Sequence, residues 1–333
     1  PIWPNGVANL CRCGSMSTNY YDILSPTKII PHMKTAAALA LAQSADPNVV
    51  SIISQSQVAT LWAGMGSIVR LKCEDTFGNS TFIIAKNIKC SNPRSFGDKR
   101  KAASYRVEAS FYGSQYCKDL SERHICCKGL YTEDDGNGSI AILMTPLPNA
   151  TIRYMDGDTA QAAVRSVARL HAYFWGDTKA DAAVAEGGLA EQGTYWYLDT
   201  RPDEYDYMSD RGLSGELKRA ASDIDEALKN HEYQTVCHGD LKGCNMAMSR
   251  DPRYVMFVDF QYLGKACPAK DLAYLFVCGM DVDLDFEERR EREMLQLYID
   301  ELAACGVGAD RKTPLPTLEG LKEALDLSYC DLY

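Results

Sequence analysis

The chain has 333 residues, enough for two ordinary domains or one large two-lobed domain. Apolar residues make up 46% and charged residues 24%, an ordinary globular composition without a tract biased toward disorder. The net charge of −10 argues against a nucleic-acid or anionic-membrane partner, and no apolar run reaches the ~18 residues that a membrane helix needs. Thirteen cysteines without a pairing pattern predict reduced thiols and a cytoplasmic protein, with an upstream targeting segment left open.

The first part of the chain is predicted to combine a helix with an antiparallel sheet. Residues 1–56 are weakly patterned, and we expect an N-terminal helical extension there, with one helix from Lys34 to Gln43. Beyond them apolar and polar residues alternate, the pattern of strands packed on one face. Three strands are expected around residues 57–62, 69–73 and 81–88, then a helix over 100–116 and two further strands over 128–131 and 139–144.

The second part is predicted to be mostly helical. Two prolines in the segment 145–148 end the last strand, because proline cannot continue a ladder, and they suit a connector. Apolar residues at helical spacing predict helices over 159–175, 211–229 and 287–304, with short β-like runs over 235–237 and 254–258. We therefore expect an α+β fold with a β-rich lobe at 57–144, a connector at 145–148 and a helical lobe at 149–333.

Each of the two short apolar runs in the helical lobe leads into acidic residues. The first run precedes His238-Gly239-Asp240, with Asn245 five residues beyond Asp240, and the second run precedes Asp259. If the two runs pair as strands, their ends bring these oxygen atoms to one point. Carboxylate and amide oxygens suit Mg²⁺, and a carboxylate can accept the proton of an attacking hydroxyl. The combination predicts magnesium-dependent phosphoryl transfer, whereas either aspartate alone would indicate only a turn or a helix cap.

The same residues resemble a known group of enzymes. His238-Gly239-Asp240, Asn245 and Asp259-Phe260-Gln261 are similar to the catalytic and metal-binding loops of the aminoglycoside phosphotransferase and choline kinase superfamily. Within it the chain looks most like the ecdysteroid kinase-like (CHK kinase-like) branch, at Leu170-His171-Ala172-Tyr173-Phe174-Trp175 and at Asp271-Leu272-Ala273-Tyr274. The resemblance, over roughly residues 55–330, implies a two-lobed, protein-kinase-like fold with a key helix beside the sheet of its first lobe. It also implies transfer of the γ-phosphoryl group of ATP to a small-molecule alcohol.

The resemblance implies a role for each matching residue. Asp240 would be the catalytic base, and Asn245 and Asp259 would hold Mg²⁺. Asp271 would support the catalytic loop by accepting hydrogen bonds from its backbone. His238 would pack and form hydrogen bonds without transferring protons.

Two lysines are predicted to contact phosphate groups. Lys242 matches a lysine that protein kinases keep two residues after the base, although many small-molecule kinases lack it. Lys86 shares a strand face with apolar residues, where a buried ammonium needs a partner, and Glu108 in the following helix is the expected one. The pair would aim Lys86 at the α- and β-phosphates. A surface ion pair is the alternative interpretation, and Lys89 takes the role if the register differs.

The remaining nucleotide contacts are predicted in a glycine-containing turn and in the connector. Gly64 and Gly66 could present backbone N–H groups to phosphate oxygens, and Ser67 could add its hydroxyl. In the connector, Thr145 and Leu147 are expected to meet the adenine through their backbone. The proline between them donates no hydrogen bond, which leaves the choice between ATP and another nucleotide open.

The acceptor substrate is the part of the predicted reaction that the sequence determines least. Two groups of residues are candidates to line its site: the aromatic residues Tyr195, Trp196, Tyr197, Tyr205 and Tyr207, and the acidic residues Asp281, Asp283, Asp285, Glu287 and Glu288. Aromatic rings with carboxylates suit a choline-like or aminoglycoside-like cation, while a sterol-like alcohol is equally compatible and plain packing is the alternative. A second class also stays open, a kinase-fold binding or assembly subunit with little catalysis.

Overall fold

The computed structural model describes residues 35–90, 93, 95–153, 155–280, 288–310 and 313–333. Backbone contacts divide these residues into two compact units, one ending at Ala150 and the other running from Thr151 to Tyr333. The predicted extension before residue 35 and the predicted acidic residues at 281–287 lie outside the described residues. Among the helices of the described ranges, none is long and apolar enough to cross a membrane.

The first unit is built on a five-stranded antiparallel sheet with the strand order β1-β2-β3-β5-β4. Its strands are β1 (Val49–Thr60), β2 (Gly66–Asp75), β3 (Ser80–Lys89), β4 (Gly129–Asp134) and β5 (Ser139–Met144). Alternating apolar side chains form these strands, as on β2, where Val69, Leu71 and Cys73 are buried. The antiparallel meander and the hairpin predicted from the sequence are confirmed.

Strand β1 corrects the predicted extent of the N-terminal extension. The strand begins at Val49, well before residue 57, so residues 49–56 belong to the sheet. Its pairing with β2 shifts register at several points, including between Val49 and Ser51 and between Ile52 and Ser54. Each such irregularity interrupts the two-residue alternation of side chains, and this is why the sequence pattern failed to show the strand.

Helices cover the sheet of the first unit. Helix α1 (Thr35–Ala45) buries Ala38 and Ala42 against apolar side chains of the sheet. Helix α2 (Phe96–Tyr112) begins at a capping box formed by Ser95 and Asp98 and packs against β4 and β5. The single helix predicted over 100–116 is wrong in its second part, because Ser114 caps a separate helix, α3 (Gln115–Glu122).

The second unit is mostly helical. Its helices are α4 (Gly157–Tyr173), α5 (Asp177–Gly187), α6 (Pro202–Tyr207), α7 (Gly212–Lys229), α8 (Ala269–Tyr274), α9 (Glu288–Ala304) and α10 (Leu318–Leu332). A π-helical turn, Leu275–Gly279, directly continues α8. Helix α4 buries the apolar stripe that the sequence predicted, and α9 packs against it. The predicted contrast between a β-rich and a helix-rich half is confirmed.

The two short apolar runs of the second unit form strands, but the predicted pairing between them is wrong. Strand β6 (Thr235–Cys237) pairs with β9 (Gly264–Ala266), and β8 (Val255–Phe257) pairs with β7 (Met246–Met248). The β7–β8 hairpin closes a short loop, which costs less chain entropy than the longer closure a β6–β8 pair would require. The residues that follow β6 and β8 are therefore brought together by other contacts.

Candidate active site

The predicted ion pair of the first unit is present. The Nζ atom of Lys86 on β3 lies 2.6 Å from Oε2 of Glu108 on α2. The side chains are 4% and 1% exposed, so both charges are removed from water. Lys89, the alternative phosphate ligand, is exposed at the end of β3. A paired, buried ammonium is held in one place, as a phosphate-binding lysine needs to be.

The glycine-containing turn joins β1 to β2. Gly64 and Gly66 both have a positive φ, and a side chain at Gly66 would collide with the Asn87 carbonyl oxygen on β3. The amides of Gly64 and Met65 donate to carbonyls within the turn, at 3.1 and 3.0 Å. Ser67 lies at the start of β2, opposite Asn87. One of the two amides predicted to bind phosphate, that of Gly64, is thus already used inside the turn.

In the connector, the backbone amide of one residue is also used in a hydrogen bond within the protein. The Thr145 amide donates to the Lys128 carbonyl at 3.0 Å, and the Thr145 hydroxyl accepts from the Lys128 amide at 3.1 Å. These bonds extend the β4–β5 pairing by one step. The Thr145 amide is therefore engaged, which leaves the Thr145 carbonyl and the backbone of Leu147 as the predicted contacts to a base.

In the second unit, a buried carboxylate holds the loop that follows β6. Asp271, on α8, accepts the amide of His238 at 2.7 Å and the amide of Gly239 at 2.8 Å. Gly239 has a φ of +84°, and a Cβ there would lie 2.6 Å from the Thr194 Cα. Only glycine fits this close approach of two backbones. The loop is therefore fixed immediately before Asp240.

Asp240 lies in a well-defined polar environment. Its Oδ2 accepts from Nζ of Lys242 at 2.9 Å and from Nδ2 of Asn245 at 3.0 Å. Its Oδ1 is buried and accepts from neither of these two donors. The Tyr274 hydroxyl also interacts with the Asp240 carboxylate. One oxygen of Asp240 is thus held firmly, and the other has the capacity to accept a proton or a ligand.

The charges around Lys242 shift the pKa of its ammonium. Burial lowers the pKa of its ammonium, but the Asp240 carboxylate acts in the opposite direction, with a smaller contribution from Asp259, and the net pKa is raised. Lys242 is therefore a fixed positive charge beside two carboxylates. Its side chain is 34% exposed, so the ammonium is within reach of a bound ligand.

Asn245 and Asp259 become neighbours through the backbone. The Val258 amide donates to the Asn245 carbonyl at 3.0 Å, which places Asp259 next to the turn Gly243–Asn245. Asp259 has a φ of +67°, a conformation uncommon outside glycine and typical of functional positions. Its carboxylate accepts from Nε2 of Gln261. The structure thus brings the second carboxylate to the Asp240 loop without the predicted strand pairing.

The oxygen atoms around this loop fit a hard divalent cation. Asn245 directs its Nδ2 to the Asp240 carbonyl and carboxylate, and its amide oxygen Oδ1 accepts only the weak thiol donor of Cys244 among the described residues, at 3.7 Å. Together with the Asp259 carboxylate, this oxygen makes a set of carboxylate and amide oxygens. Mg²⁺ prefers such ligands and is commonly held by one or two carboxylates.

His238 is completely buried and structural in its contacts. Its Nε2 lies 3.0 Å from the Val258 carbonyl, while its Nδ1 accepts the Asp240 amide at 3.3 Å. These partners select the neutral tautomer with the proton on Nε2. The imidazole therefore ties the loop before Asp240 to the segment before Asp259.

Sequence reasoning gave no role to His171, which lies behind the same loop. Its Nε2 contacts Oδ2 of Asp271 at 3.1 Å, and its Nδ1 contacts the Tyr298 hydroxyl at 2.7 Å. His171, Cys237 and Asp271 lie close enough together to hold a metal, but all three are fully buried and the Asp271 oxygens already accept three N–H donors. We interpret the cluster as support for the loop. The feature of the sequence that could have revealed this role is a single histidine among the apolar residues on one face of α4.

Tyr274 is a second residue that the sequence did not single out. It follows Asp271 by one helical turn and lines a small pocket together with Gly239, Trp196 and Lys270. Burial, and then the nearby Asp240 carboxylate, raise the pKa of the Tyr274 hydroxyl well above its usual value. The hydroxyl therefore stays protonated beside Asp240.

The aromatic residues predicted to bind a cationic acceptor already contact cations of the chain itself. The guanidinium of Arg201 stacks over Tyr195 at 4.3 Å and over Trp196 at 3.8 Å. Lys270 lies over the Tyr197 ring at 5.8 Å, and Lys218 over the Tyr205 ring at 5.5 Å. Tyr207 is 91% exposed. Of the predicted acidic group only Glu288 is described, at the start of α9.

Comparison with known proteins confirms the resemblance. Residues 209–306, which include the Asp240 loop, Asp259 and Asp271, match the ecdysteroid kinase-like family. No curated protein sequence matches the chain significantly. Among solved structures, an ethanolamine kinase from Plasmodium vivax is 13% identical with a TM-score of 0.54, over 92% of this chain and 82% of that one.

Two further solved structures are similar at lower TM-scores. A macrolide 2′-phosphotransferase of type I is 15% identical, with a TM-score of 0.47 over 90% of both chains. An aminoglycoside phosphotransferase from Streptomyces rimosus, solved with ADP and streptomycin, is 18% identical with a TM-score of 0.42 over 90% of this chain and 99% of that one. The likeness to the ethanolamine kinase shows that the chain has the two-lobed fold of kinase-like phosphotransferases.

Proposed function

We propose that the protein transfers the γ-phosphoryl group of ATP to an alcohol group of a small molecule, in a magnesium-dependent reaction. The observation that carries the proposal is the state of Asp240, which has one oxygen fixed by Lys242 and Asn245 and one buried oxygen that is bonded to neither of them. This is what a general base requires, because its orientation must be set while one oxygen remains able to accept a proton.

The remaining residues have complementary roles in the proposal. Asp240 accepts the proton of the acceptor hydroxyl, and Lys242 supplies a positive charge beside it. Lys86, fixed by Glu108, binds phosphate oxygens of the nucleotide. Asn245 and Asp259 hold Mg²⁺, which neutralises charge on the transferred group when bound. Asp271 and His238 keep the loop in place by the bonds described above.

The substitution Asp240→Asn tests this assignment. The amide cannot accept the proton but has nearly the same shape, so we expect Mg-ATP binding to be retained while turnover falls by about 10²–10⁴-fold. ADP formation with a panel of small alcohols measures turnover, and titration with Mg-ATP measures binding. Turnover equal to that of the unsubstituted protein would refute the role of Asp240 as a base.

A second candidate function has specific support. The amides of Gly64 and Thr145 are engaged within the protein, so fewer backbone donors remain for a nucleotide than the sequence predicted. A kinase-fold binding or assembly subunit with little catalysis would be compatible with this arrangement. A thermal melt with Mg-ATP separates the two, since stabilisation without ADP formation across the alcohol panel favours the subunit.

The state of the cysteines bears on the compartment in which this reaction would take place. Seven of those in the described residues are buried: Cys73, Cys90, Cys117, Cys126, Cys127, Cys237 and Cys267. Burial raises the pKa of Cys127 and of Cys267 to about 12, so these thiols stay protonated and inert. Buried, protonated thiols of this kind suit a reducing compartment, and we extend the proposal to a cytoplasmic enzyme.

A further inference from the structure

An arginine occupies the aromatic surface next to Asp240. Arg201 directly precedes the short helix α6, and its guanidinium stacks on the rings of Tyr195 and Trp196. Its side chain is 14% exposed. The two aromatic rings thus bind a cation, and that cation is the Arg201 side chain itself.

The aromatic pair is attached to the catalytic loop. The Tyr195 amide donates to the Gly239 carbonyl at 2.8 Å, one residue before Asp240. The Tyr195 ring also packs against Tyr262 at 4.9 Å, and Trp196 lines the small pocket that Gly239 and Tyr274 border. The surface that Arg201 covers therefore adjoins the proposed base, on the side where Tyr274 also approaches it.

The charge of Arg201 is only weakly neutralised. Its Nη1 contacts Oε1 of Glu204 at 3.3 Å, and the Glu204 side chain is 53% exposed. Its Nε and Nη2 are buried and have no hydrogen-bond partner among the described residues. Buried N–H groups on a cation favour oxygen acceptors and repel a second positive charge.

We propose that Arg201 determines acceptor specificity by closing this aromatic surface to cationic alcohols and favouring uncharged or anionic alcohols rich in oxygen. The inference rests on the proposed function, because it concerns the acceptor of that reaction. A quaternary ammonium would have to displace the guanidinium from the two rings and tolerate its charge nearby. A neutral or anionic acceptor is not repelled by the charge of the guanidinium.

The test compares two probes of equal shape on the full chain. One probe is choline, and the other is its uncharged isostere, in which a tert-butyl group replaces the trimethylammonium. Binding is followed without nucleotide by NMR, through the indole N–H signal of Trp196 in ¹⁵N-labelled protein. The Trp196→Phe variant assigns this signal. In the unsubstituted protein we expect the isostere to bind at least about tenfold more tightly than choline. This ratio corresponds to a difference of about 1.4 kcal/mol in binding free energy.

Substitution at Arg201 should change this preference. Arg201→Gln removes the charge, so we expect the ratio of choline to isostere affinity to rise by about tenfold or more. Arg201→Lys retains the charge and should keep the original preference. This variant still tests the role of the charge if the glutamine variant does not fold. Arg253→Gln is the matched control, because Arg253 also stacks on a ring, that of Tyr254, but is 70% exposed in the β7–β8 turn.

Three outcomes would overturn the inference. They are choline binding as tightly as the isostere in the unsubstituted protein, an unchanged ratio in Arg201→Gln, and no response of Trp196 to either probe in any variant. Failure of the proposed function is distinguishable, because it would show as absence of ADP formation while the binding ratios remain measurable.

Discussion

At the scale of single residues, the Lys86–Glu108 pair connects stability with proposed phosphate binding. Both side chains are almost completely buried, and removing two charges from water costs several kcal/mol per ion, which their close contact helps to offset. The pair is therefore weak evidence for stability in itself. Its more direct consequence is that neither partner can be lost alone without leaving a buried charge.

The two roles of this pair can be separated by substitution. Glu108→Ala should lower the free energy of unfolding by about 3–5 kcal/mol, because it leaves the Lys86 ammonium buried and unpaired. Lys86→Met combined with Glu108→Leu should restore most of that stability but not phosphoryl transfer. Urea unfolding and ADP formation measure the two effects.

An exposed ion pair provides the control for this experiment. Arg106 and Asp134 are 3.2 Å apart with side chains 52% and 32% exposed, so Arg106→Ala should cost less than about 1 kcal/mol. A fully active double variant would contradict the assignment of Lys86 and transfer its role to Lys89.

At the scale of elements, the turn between β1 and β2 depends on two glycines for different reasons. A Cβ at Gly66 would lie 1.9 Å from the Asn87 carbonyl oxygen, so β2 and β3 would have to separate. Gly64 has a φ of +72° but no atom within 4 Å of the position of a Cβ. Gly66 is thus required by packing, and Gly64 only by backbone conformation.

Alanine substitutions should distinguish these two requirements. Gly64→Ala should lower the free energy of unfolding by about 1–2 kcal/mol, the cost of left-handed backbone in a residue with a Cβ. Gly66→Ala should cost clearly more, because it also disrupts the β2–β3 pairing. Thermal unfolding of the two variants measures the difference, and equal losses would show that the contact with Asn87 is easily relieved.

Elements defined by local pattern were predictable from the sequence, and their partners were not. Strands β5 and β6 match their predicted limits, because their apolar runs end at clear turn signals. The partner of β6 was predicted wrongly, since a three-residue strand carries too little pattern to specify register.

The same limit applies to the candidate site. The Lys86–Glu108 pair was predictable, because a lysine on an apolar strand face demands a partner. The stacking of Arg201 on two rings was not predictable, because it depends on the turn at Leu198–Thr200, which reverses the chain onto Trp196. Contacts of this kind depend on tertiary geometry that leaves no periodic signal in the sequence.

At the scale of the whole molecule, aspartates in turns and caps make stability dependent on pH. Hydrogen bonds from Asn79 and Ser139 lower the pKa of Asp75 and Asp135 in the hairpin turns of the first unit. In the second unit the Arg253 side chain lowers the pKa of Asp251 to about 2. Each carboxylate binds a proton less readily in the folded than in the unfolded chain.

The direction of the effect follows from linkage. Where the unfolded chain binds more protons, the free energy of unfolding rises with pH, so these carboxylates stabilise the fold above the ordinary aspartate pKa of about 3.9. Their contribution should be lost as pH falls through the lowered folded values. Urea unfolding should give a steep decrease below about pH 4, and Asp75→Asn with Asp135→Asn should make it shallower. A decrease of the same steepness in that variant would contradict this account.

The contacts of Asp271 have a consequence for the energetics of ligand binding. This carboxylate fixes the amides of His238 and Gly239, and His171 and Tyr298 support it from behind. All of these bonds are made between groups of the chain itself. The free energy of arranging the loop is thus supplied once, during folding, and the loop needs little reorganisation at each encounter with a substrate. Preorganisation of this kind lets binding energy act on the reacting groups rather than on the protein.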